Sequence, residues 1–339
     1  MPWVAPRYSR TKIDAAGRIL ANPLALAQDY SDALTLVNNW RSSHGFPLNT
    51  LQNGLRQKAK QVVSDAIIAQ RIKRLSSISR KLRDGSTRLS QMQDLGGCRA
   101  VVKTVPQVRR LLNLHLLSEM KHQLDHVDNY IENPRPSGYR SVHLVYRYHS
   151  DKNTTYNGLK IEVQLRSSLQ HAWATAVETV GTFTEQALKA SKGEAEWLRF
   201  FTLMGTAIAN RERTTLVPNT PTDAMQLRDE LRHHVTKLKV EDHLQAYGTS
   251  FDVIEEQAKA GAHYFLLQLD FSEKTVRVNS YSYAQLEDAS ADYLAAERST
   301  GNRDAVLVSV DSVAALRRAY PNYFLDTSAF IETVKKAIA

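Results

Sequence analysis

Residues 158–166 read GLKIEVQLR, and their alternation decides how the middle of the chain folds. Successive side chains of a strand point to opposite faces, so Leu159, Ile161, Val163 and Leu165 line one side and Lys160, Glu162, Gln164 and Arg166 the other. The first set is a core face. The second is either the solvated face of an edge strand or a row of polar groups committed to chemistry. The Asn157-Gly158 step just before it is a hairpin signal, so residues 140–149 are expected to be its antiparallel neighbour.

Working outward, RAVVKTV from Arg99 reads as a strand, Pro106 opens a Leu-rich helix to about Lys121, and another strand follows near 124–131. Helices are predicted at about 167–190 and 194–212. Upstream, residues 12–44 and 50–83 carry apolar positions at helical spacing, punctuated by Pro23 and Gly45-Phe46-Pro47. LVPNTPTD at 216–223 reads as a linker. Beyond it come a helix over 224–260, the strands YFLLQLDF and KTVRVNSYS joined at Ser272-Glu273, a helix to about 298, the strand AVLVSV and a C-terminal pair of helices. The expected fold class is α+β: a mixed, largely antiparallel sheet flanked by helices, plus a smaller C-terminal α+β domain. The expected division is a helical segment over 1–50, a main domain over 51–215, the linker, and a C-terminal regulatory or partner-binding domain over 224–339.

The chain has 339 residues and a single cysteine, Cys98, which excludes a disulfide framework and a Cys-rich zinc site and suits a reducing compartment. It shows no run of about 18 apolar residues, and MPWVAPRYSR at its start lacks the apolar stretch of a signal peptide. A cytoplasmic protein without membrane attachment is expected. The net charge of +9 favours polyanionic ligands such as nucleotides or RNA. The cations cluster: Arg71, Lys73, Arg74, Arg80, Lys81, Arg83 and Arg88 are opposed locally by Asp84 alone.

Three further segments carry candidate chemistry, each with a plain alternative. In PRPSGYRSVHLVYRY, residues 134–148, two prolines and Gly138 fix a loop that delivers Tyr139 to the mouth of a strand, with Ser141 and His143 on its face. Such a ring can stack on a base or simply cap the core edge. In QDLGGCRAVV, residues 93–102, Asp94 at a strand start can reach a metal, although Asp-x-Gly-Gly alone is usually a turn. In RIKRLSSISRKL, residues 71–82, helical spacing would bring Arg71, Arg74 and Lys81 together beside an apolar stripe; a solvated basic face is the ordinary reading.

Taken in order, these segments resemble the synthetase domain of the RelA/SpoT alarmone family over about residues 71–180. RIKRLSSISRKL is similar to that family's R-x-K-x-x-x-S-I-x-x-K-[LM] segment. The resemblance implies that Arg71 and Lys81 hold ATP phosphates, assisted by Lys73 and Arg80. MQDLGGCR is similar to D-[IL]-x-[GA]-x-R, implying Asp94 as a Mg²⁺ ligand with Arg99 on the ATP side. PRPSGYRSVH is similar to P-K-P-N-G-Y-x-S-[IL]-H, implying that Tyr139 stacks on the acceptor base while His143 and Arg135 line the acceptor pocket. IEVQLRSSLQHAW is similar to E-[VI]-Q-[IL]-R-T-x-x-[MQ]-[HD], implying Glu162 as the second metal-linked acid and Gln164 on the acceptor side. Arg135, Ser137 and Ser167 replace the family's frequent Lys, Asn and Thr, residues 128–130 read Asp-Asn-Tyr where the family often shows an Asp-Tyr pair, and these changes fall on the acceptor side.

The resemblance implies a nucleotidyltransferase-like sheet and, with Mg²⁺, transfer of the β,γ-diphosphate of ATP to the 3′-hydroxyl of GDP or GTP, with Asp94 and Glu162 as catalytic carboxylates. Two alternatives stay open: a toxin that pyrophosphorylates the 3′ end of tRNA, and a non-catalytic nucleotide- or RNA-binding regulatory module. No His-Asp metal signature like that of the family's hydrolase half occurs in residues 1–70, so a synthetase-only member is expected. No DNA partner is expected, and a homo-oligomer is left open. The C-terminal domain is expected to restrain or direct the synthetase, with Tyr281, Tyr283, Tyr320, Tyr323 and Phe324 read as surplus aromatics for a partner surface, or for a core or dimer contact.

Overall fold

The computed structural model describes residues 3–85, 87–187, 194–249, 252–255, 262–270, 272–298, 303–310 and 313–339. Residues 188–190, 250–251 and 256–260 of the expected helices, and Phe271 of an expected strand, lie outside the described residues.

Three helices open the chain: α1 (Arg10–Ala21), α2 (Ala27–Ser43) and α3 (Gly45–Val62). Then come β1 (Ile67–Ile72), α4 (Leu75–Arg83), β2 (Gly96–Val102), α5 (Val105–Leu116), β3 (Gln123–Asn129), β4 (Val142–Arg147) and β5 (Lys160–Ser167). Helices α6 (Ser168–Ala187), α7 (Glu194–Glu212), α8 (Ala224–Lys237) and α9 (Val240–Thr249) follow. The remainder is β6 (Asp252–Glu255), β7 (Ala262–Asp270), β8 (Thr275–Ser282), α10 (Leu286–Arg298), β9 (Arg303–Ser309), α11 (Val313–Ala319) and α12 (Ser328–Ile338). The fold class is α+β.

Two expectations fail in instructive ways. The stretch 50–83 is not one helical region: α3 ends at Val62, and Ile67–Ile72 pair antiparallel with β2. Ile68, Ile72 and Leu75 fit a helical repeat, but the β-branched residues of IIAQRI are equally suited to a strand, and the exposed edge of β2 decides between them. Arg71 and Lys81 therefore do not share a helix face. Likewise the expected helix over 224–260 is broken, with β6 at Asp252–Glu255.

The nine strands form a single sheet in the order β3-β4-β5-β2-β1-β9-β7-β8-β6. Its pairs are antiparallel except β2 with β5 and β6 with β8. The C-terminal strands thus continue the sheet of the first half, through Gln70↔Ser309 and Arg71↔Val308 between β1 and β9. No helix or strand occupies Arg213 to Asp223, where the linker was expected, yet the sheet is continuous across the two halves.

Helices α1–α3 and α5 bury Leu48, Leu55, Val108 and Leu111 against Leu144, Ile161, Val163 and Leu165 of the sheet, so the apolar side of GLKIEVQLR is core as read. A second layer joins α6, α7, α8 and α12 through Trp173, Phe200, Leu231 and Phe330, which carries the end of the chain back to the first half. Of the aromatics expected at a partner surface, Tyr320, Tyr323, Tyr281 and Phe324 are instead buried, and only Tyr283 is exposed.

Candidate active site

Strand register sets the site. Across the sheet Arg71 lies opposite Gly97, and Gly97 opposite Glu162. One row further, Ala69 faces Arg99, Arg99 faces Gln164, and Gln164 faces His143. Side chains of one row share a face, so three strands present Arg71, Arg99, Glu162 and Gln164 together. The adjacent glycines have separate reasons. A side chain on Gly96 would meet Ile161 at 2.8 Å in the core, whereas a Cβ on Gly97 would meet nothing nearer than the Glu162 carbonyl at 3.9 Å. Gly97 leaves open floor between Arg71 and Glu162, and it lines the resulting pocket of about 180 Å³ together with Lys73, Asp94, Cys98, Gln164 and Arg166.

On one side of this pocket, Asp94 follows the loop from α4. The Lys73 and Lys81 ammonium groups donate to its two oxygens at 2.7 and 3.2 Å. Burial pushes the Asp94 carboxyl up, but the two lysines outweigh it and hold the group below its usual range. Arg71 stays charged: burial disfavours its cation, and Glu178 together with Tyr323, Tyr320 and Asp94 more than offsets that. Arg99, by contrast, is lowered to about 10, by burial first and then by its neighbours Arg166 and Arg71.

On the other side, the loop from Pro134 turns at Gly138, whose φ of +91° and approach to the Phe201 carbonyl leave no room for a Cβ. It delivers Tyr139, whose hydroxyl shares a hydrogen bond with His143 Nε2 at 2.7 Å and accepts one from Arg166 at 2.9 Å. His143 Nδ1 lies 2.9 Å from Glu162, and Gln164 donates to Glu162 at 2.6 Å. Burial lowers the His143 pKa, but the bond to Glu162, the neighbouring Tyr139 hydroxyl and the Glu162 charge raise it to about 9. Glu162 is pushed up by burial and drawn down further by His143, ending below its usual value. The pair is therefore an imidazolium and a carboxylate at neutral pH.

Of the residues read from the sequence, Arg71, Lys73, Asp94, Arg99, Glu162 and Gln164 line the pocket, and Lys81 reaches it through Asp94. Tyr139 and His143 stand behind Glu162, and the Arg166 guanidinium lies over the Tyr139 ring, 5.4 Å from its centroid. Arg80 is exposed on α4, one residue around the helix from Lys81. Arg135 is exposed on the rim, its guanidinium 4.4 Å over the Tyr130 ring and donating to the Tyr130 hydroxyl. Among the charged and aromatic lining residues, Arg166, Glu178 and Tyr320 were given no site role from the sequence. Arg166 had a signal, since it shares the polar face of its strand with Glu162 and Gln164. Glu178, on α6, is a carboxylate that burial pushes up and Arg71 and Arg99 hold below its usual value.

Tyr320 comes from the far end of the chain. Its ring lies under the Arg99 guanidinium, 4.5 Å from the ring centroid, and Arg99 donates to the carbonyl of Ala319. Tyr323 approaches Arg74 at 5.7 Å, and Arg74 pairs with Asp304 of β9. Helix α4, which carries Lys81, has no side-chain cap of its own. Its first amide, Leu75 N–H, donates to Glu297 of α10 at 2.9 Å, and the same carboxylate pairs with buried Arg41 at 2.7 Å.

No group of three or more His, Cys, Asp or Glu side chains among the described residues is arranged as a metal site. Asp94 and Glu162 nonetheless give the one pocket two hard carboxylates, which is what a Mg²⁺ ion shared with substrate phosphates requires of a protein. The donor set fits that ion.

Residues 70–186 match the family model described as the region found in RelA / SpoT proteins. The chain is similar to GTP pyrophosphokinase YjbM of Bacillus subtilis, with 30% identity over 111 residues that make up 32% of this chain and 52% of that protein. It is also similar to the GTP pyrophosphokinase of Haemophilus influenzae, with 28% identity over 124 residues, 37% of this chain and 15% of that protein. The chain thus spans about half the length, or less, of these curated relatives. The crystal structure of small alarmone synthetase 2 from Bacillus subtilis superposes with a TM-score of 0.44 at 18% identity, covering 52% of this chain and 93% of that one.

Proposed function

We propose that this chain, whose residues 70–186 form a RelA/SpoT synthetase domain, is an ATP-dependent pyrophosphokinase that moves the β,γ-diphosphate of ATP onto a ribose 3′-hydroxyl. The observation that carries the reading is the convergence of Arg71, Lys73, Arg99, Asp94 and Glu162 on one pocket. Cations for a polyphosphate stand there beside carboxylates for a divalent ion, on a floor kept clear by Gly97.

The reaction is an in-line attack of the 3′-oxygen on the β-phosphorus, with the bond to the α-phosphate oxygen breaking and AMP leaving. Arg71, Lys73, Lys81 and Arg99 bind the phosphate chain and offset the charge that develops on it. Asp94 and Glu162 would hold Mg²⁺, which supplies charge neutralisation between the phosphates when bound. Lys73 and Lys81 hold Asp94 ionised, and His143 holds Glu162 ionised and oriented. Glu162 then accepts the hydroxyl proton. Tyr139 and Gln164 orient the acceptor base.

GDP or GTP is the acceptor that the names of the relatives favour. The 3′ end of tRNA is the second reading, favoured by the exposed cations Arg80, Arg83, Arg88 and Arg135 around a chain of net charge +9. In either case the C-terminal half restrains the donor site. Tyr320 covers the Arg99 face, and the remaining 180 Å³ is less than the roughly 300–1,000 Å³ of pockets that take whole nucleotide-sized ligands.

The test is transfer of label from γ-labelled ATP, with Mg²⁺, to GDP, GTP or tRNA, with AMP released in equal amount. Transfer to one acceptor identifies the substrate class. Label that stays on ATP with all three, both in the full chain and in a Tyr320→Leu variant, ends the enzyme reading and leaves the non-catalytic module.

A further inference from the structure

Behind the strand that carries Arg71 is a cavity that the chemistry above does not use. In β1, Ala69 and Arg71 face the pyrophosphokinase pocket, and Gln70 and Ile72 face the other way. On that opposite face the sheet, α2, α3 and α10 enclose about 420 Å³, walled by Trp3, Leu48, Ile72, Tyr293, Leu294 and Leu307. The volume lies within the roughly 300–1,000 Å³ typical of small-molecule sites.

The walls are mainly apolar, and the polar side chains among them include Arg41, Glu287, Ser290 and Ser309; two more stand out because they are buried and unpaired. Gln70 and Tyr264 both line the cavity, at 7% and 4% exposure. The Gln70 side-chain carbonyl and the Tyr264 hydroxyl have no hydrogen-bond partner among the described residues. A buried polar atom left unpaired costs about 1–3 kcal/mol, so such atoms mark places where something else completes the pairing. Of the charged residues that line it, Arg41 is answered by Glu297 at 2.7 Å, Arg71, whose side chain turns to the other face, by Glu178, and Glu287 is exposed to solvent at the rim. The buried wall at Gln70 and Tyr264 therefore offers hydrogen bonds without an unanswered charge.

We propose that this cavity is a binding site for a small, neutral, amphipathic molecule with a ring-sized apolar body. A hydroxyl or amide N–H on it donates to the Gln70 carbonyl, and the Tyr264 hydroxyl meets a second polar atom. Its floor is the junction where Gln70 pairs with Ser309 and Arg71 with Val308, so an occupant touches both halves of the chain. Binding should raise the thermal midpoint of the whole protein.

The experiment titrates the full-length protein with 4-bromophenol and, separately, with bromobenzene, read by thermal unfolding and calorimetry. The phenol should bind about 5–10-fold more tightly than bromobenzene, the value of one net hydrogen bond of about 1 kcal/mol. In Gln70→Leu that preference should vanish while bromobenzene still binds. Ser290→Trp, which places a ring in the cavity from α10, should abolish binding of both. Tyr264→Phe, which deletes only a hydroxyl, serves as the gentler variant if Gln70→Leu fails to fold, and it should also reduce the preference. Failure of both probes to bind at millimolar concentration, an equal affinity for the two in the unaltered protein, or binding undiminished in Ser290→Trp would each overturn the site.

Discussion

On the proposed donor side of the pocket, two cations are met by groups from the far end of the chain: Arg99 by Ala319 and Tyr320, a separation of 220 residues for the first, and Arg74 by Asp304 and Tyr323. On the acceptor side the groups answer one another. Tyr139, His143, Glu162, Gln164 and Arg166 form one closed hydrogen-bonded circuit, whose widest step in sequence, from Arg166 to Tyr139, is 27 residues. The two sides share a sheet and a pocket, yet one takes part of its pairing from a distant segment and the other is complete within residues 70–186, which match the RelA / SpoT region. Control by the C-terminal half should therefore act on ATP and leave the acceptor chain in place.

The largest effect should come from the carboxylates that both sides share. On the proposed mechanism Glu162→Gln removes the acceptor of the hydroxyl proton, and Asp94→Asn removes one of the two carboxylates that would hold Mg²⁺. Each should lower transfer by about 10²–10⁴-fold, measured with labelled ATP at saturating acceptor. The fold should survive, because His143 can shed its proton once Glu162 is neutral. Activity within a factor of three of the original in either variant would detach that residue from the chemistry.

Tyr320→Leu tests the donor side alone. A desolvated contact of a guanidinium with an aromatic face is worth about 2 kcal/mol, so removing it should tighten ATP binding by up to about 30-fold. Acceptor affinity should not change. Leucine keeps most of the buried volume, so circular dichroism should report an intact fold. A folded variant with unaltered ATP affinity would mean that Tyr320 is core and not a restraint.

The same contrast explains what the sequence could carry. The acceptor chain was legible because its members lie on one strand and the loop before its partner, where alternation assigns faces: Glu162 and Gln164 follow from GLKIEVQLR, and Arg166 was readable by the same rule. β1 was not legible, since Ile68, Ile72 and Leu75 satisfy a helical repeat and only pairing with β2 makes IIAQRI extended. Glu178 and Tyr320 had no local signal at all. A carboxylate within α6 and a tyrosine after α11 meet Arg71 and Arg99 only because the chain returns, and Tyr320 and Tyr323, counted from composition as surplus surface rings, are buried by that return.

His143 gives a pH test confined to the acceptor side. Its folded pKa is raised from about 6.5 to about 9. The stability this confers is fully present below about pH 6.5 and is lost as pH rises through about 9. Urea unfolding at pH 6, 7.5 and 9 should show the protein losing up to about 3 kcal/mol across that window, and a His143→Gln variant losing much less. Parallel curves for the two proteins would show that the imidazolium is not paired with Glu162 in solution.

The smallest effect, and the sharpest on the identity of the acceptor, is expected from Arg135. It is exposed and rests on the Tyr130 ring, a contact worth about 0.5–1 kcal/mol at such a site, so Arg135→Ala should shift stability by less than that and leave ATP affinity unchanged. Its influence on the acceptor depends on how far the acceptor extends. GDP or GTP places its phosphates on the 5′ side of one ribose, and losing one rim cation should raise its KM only a few-fold. A tRNA 3′ end brings a run of backbone phosphates past the rim. Each phosphate contact with a single strand then contributes about 0.7 to the slope of log affinity against log salt concentration. If the acceptor is RNA, Arg135→Ala should flatten that slope by about 0.7, measured from KM between 50 and 200 mM salt. An unchanged slope together with active transfer would confine the acceptor to the pocket lined by Glu162 and Gln164.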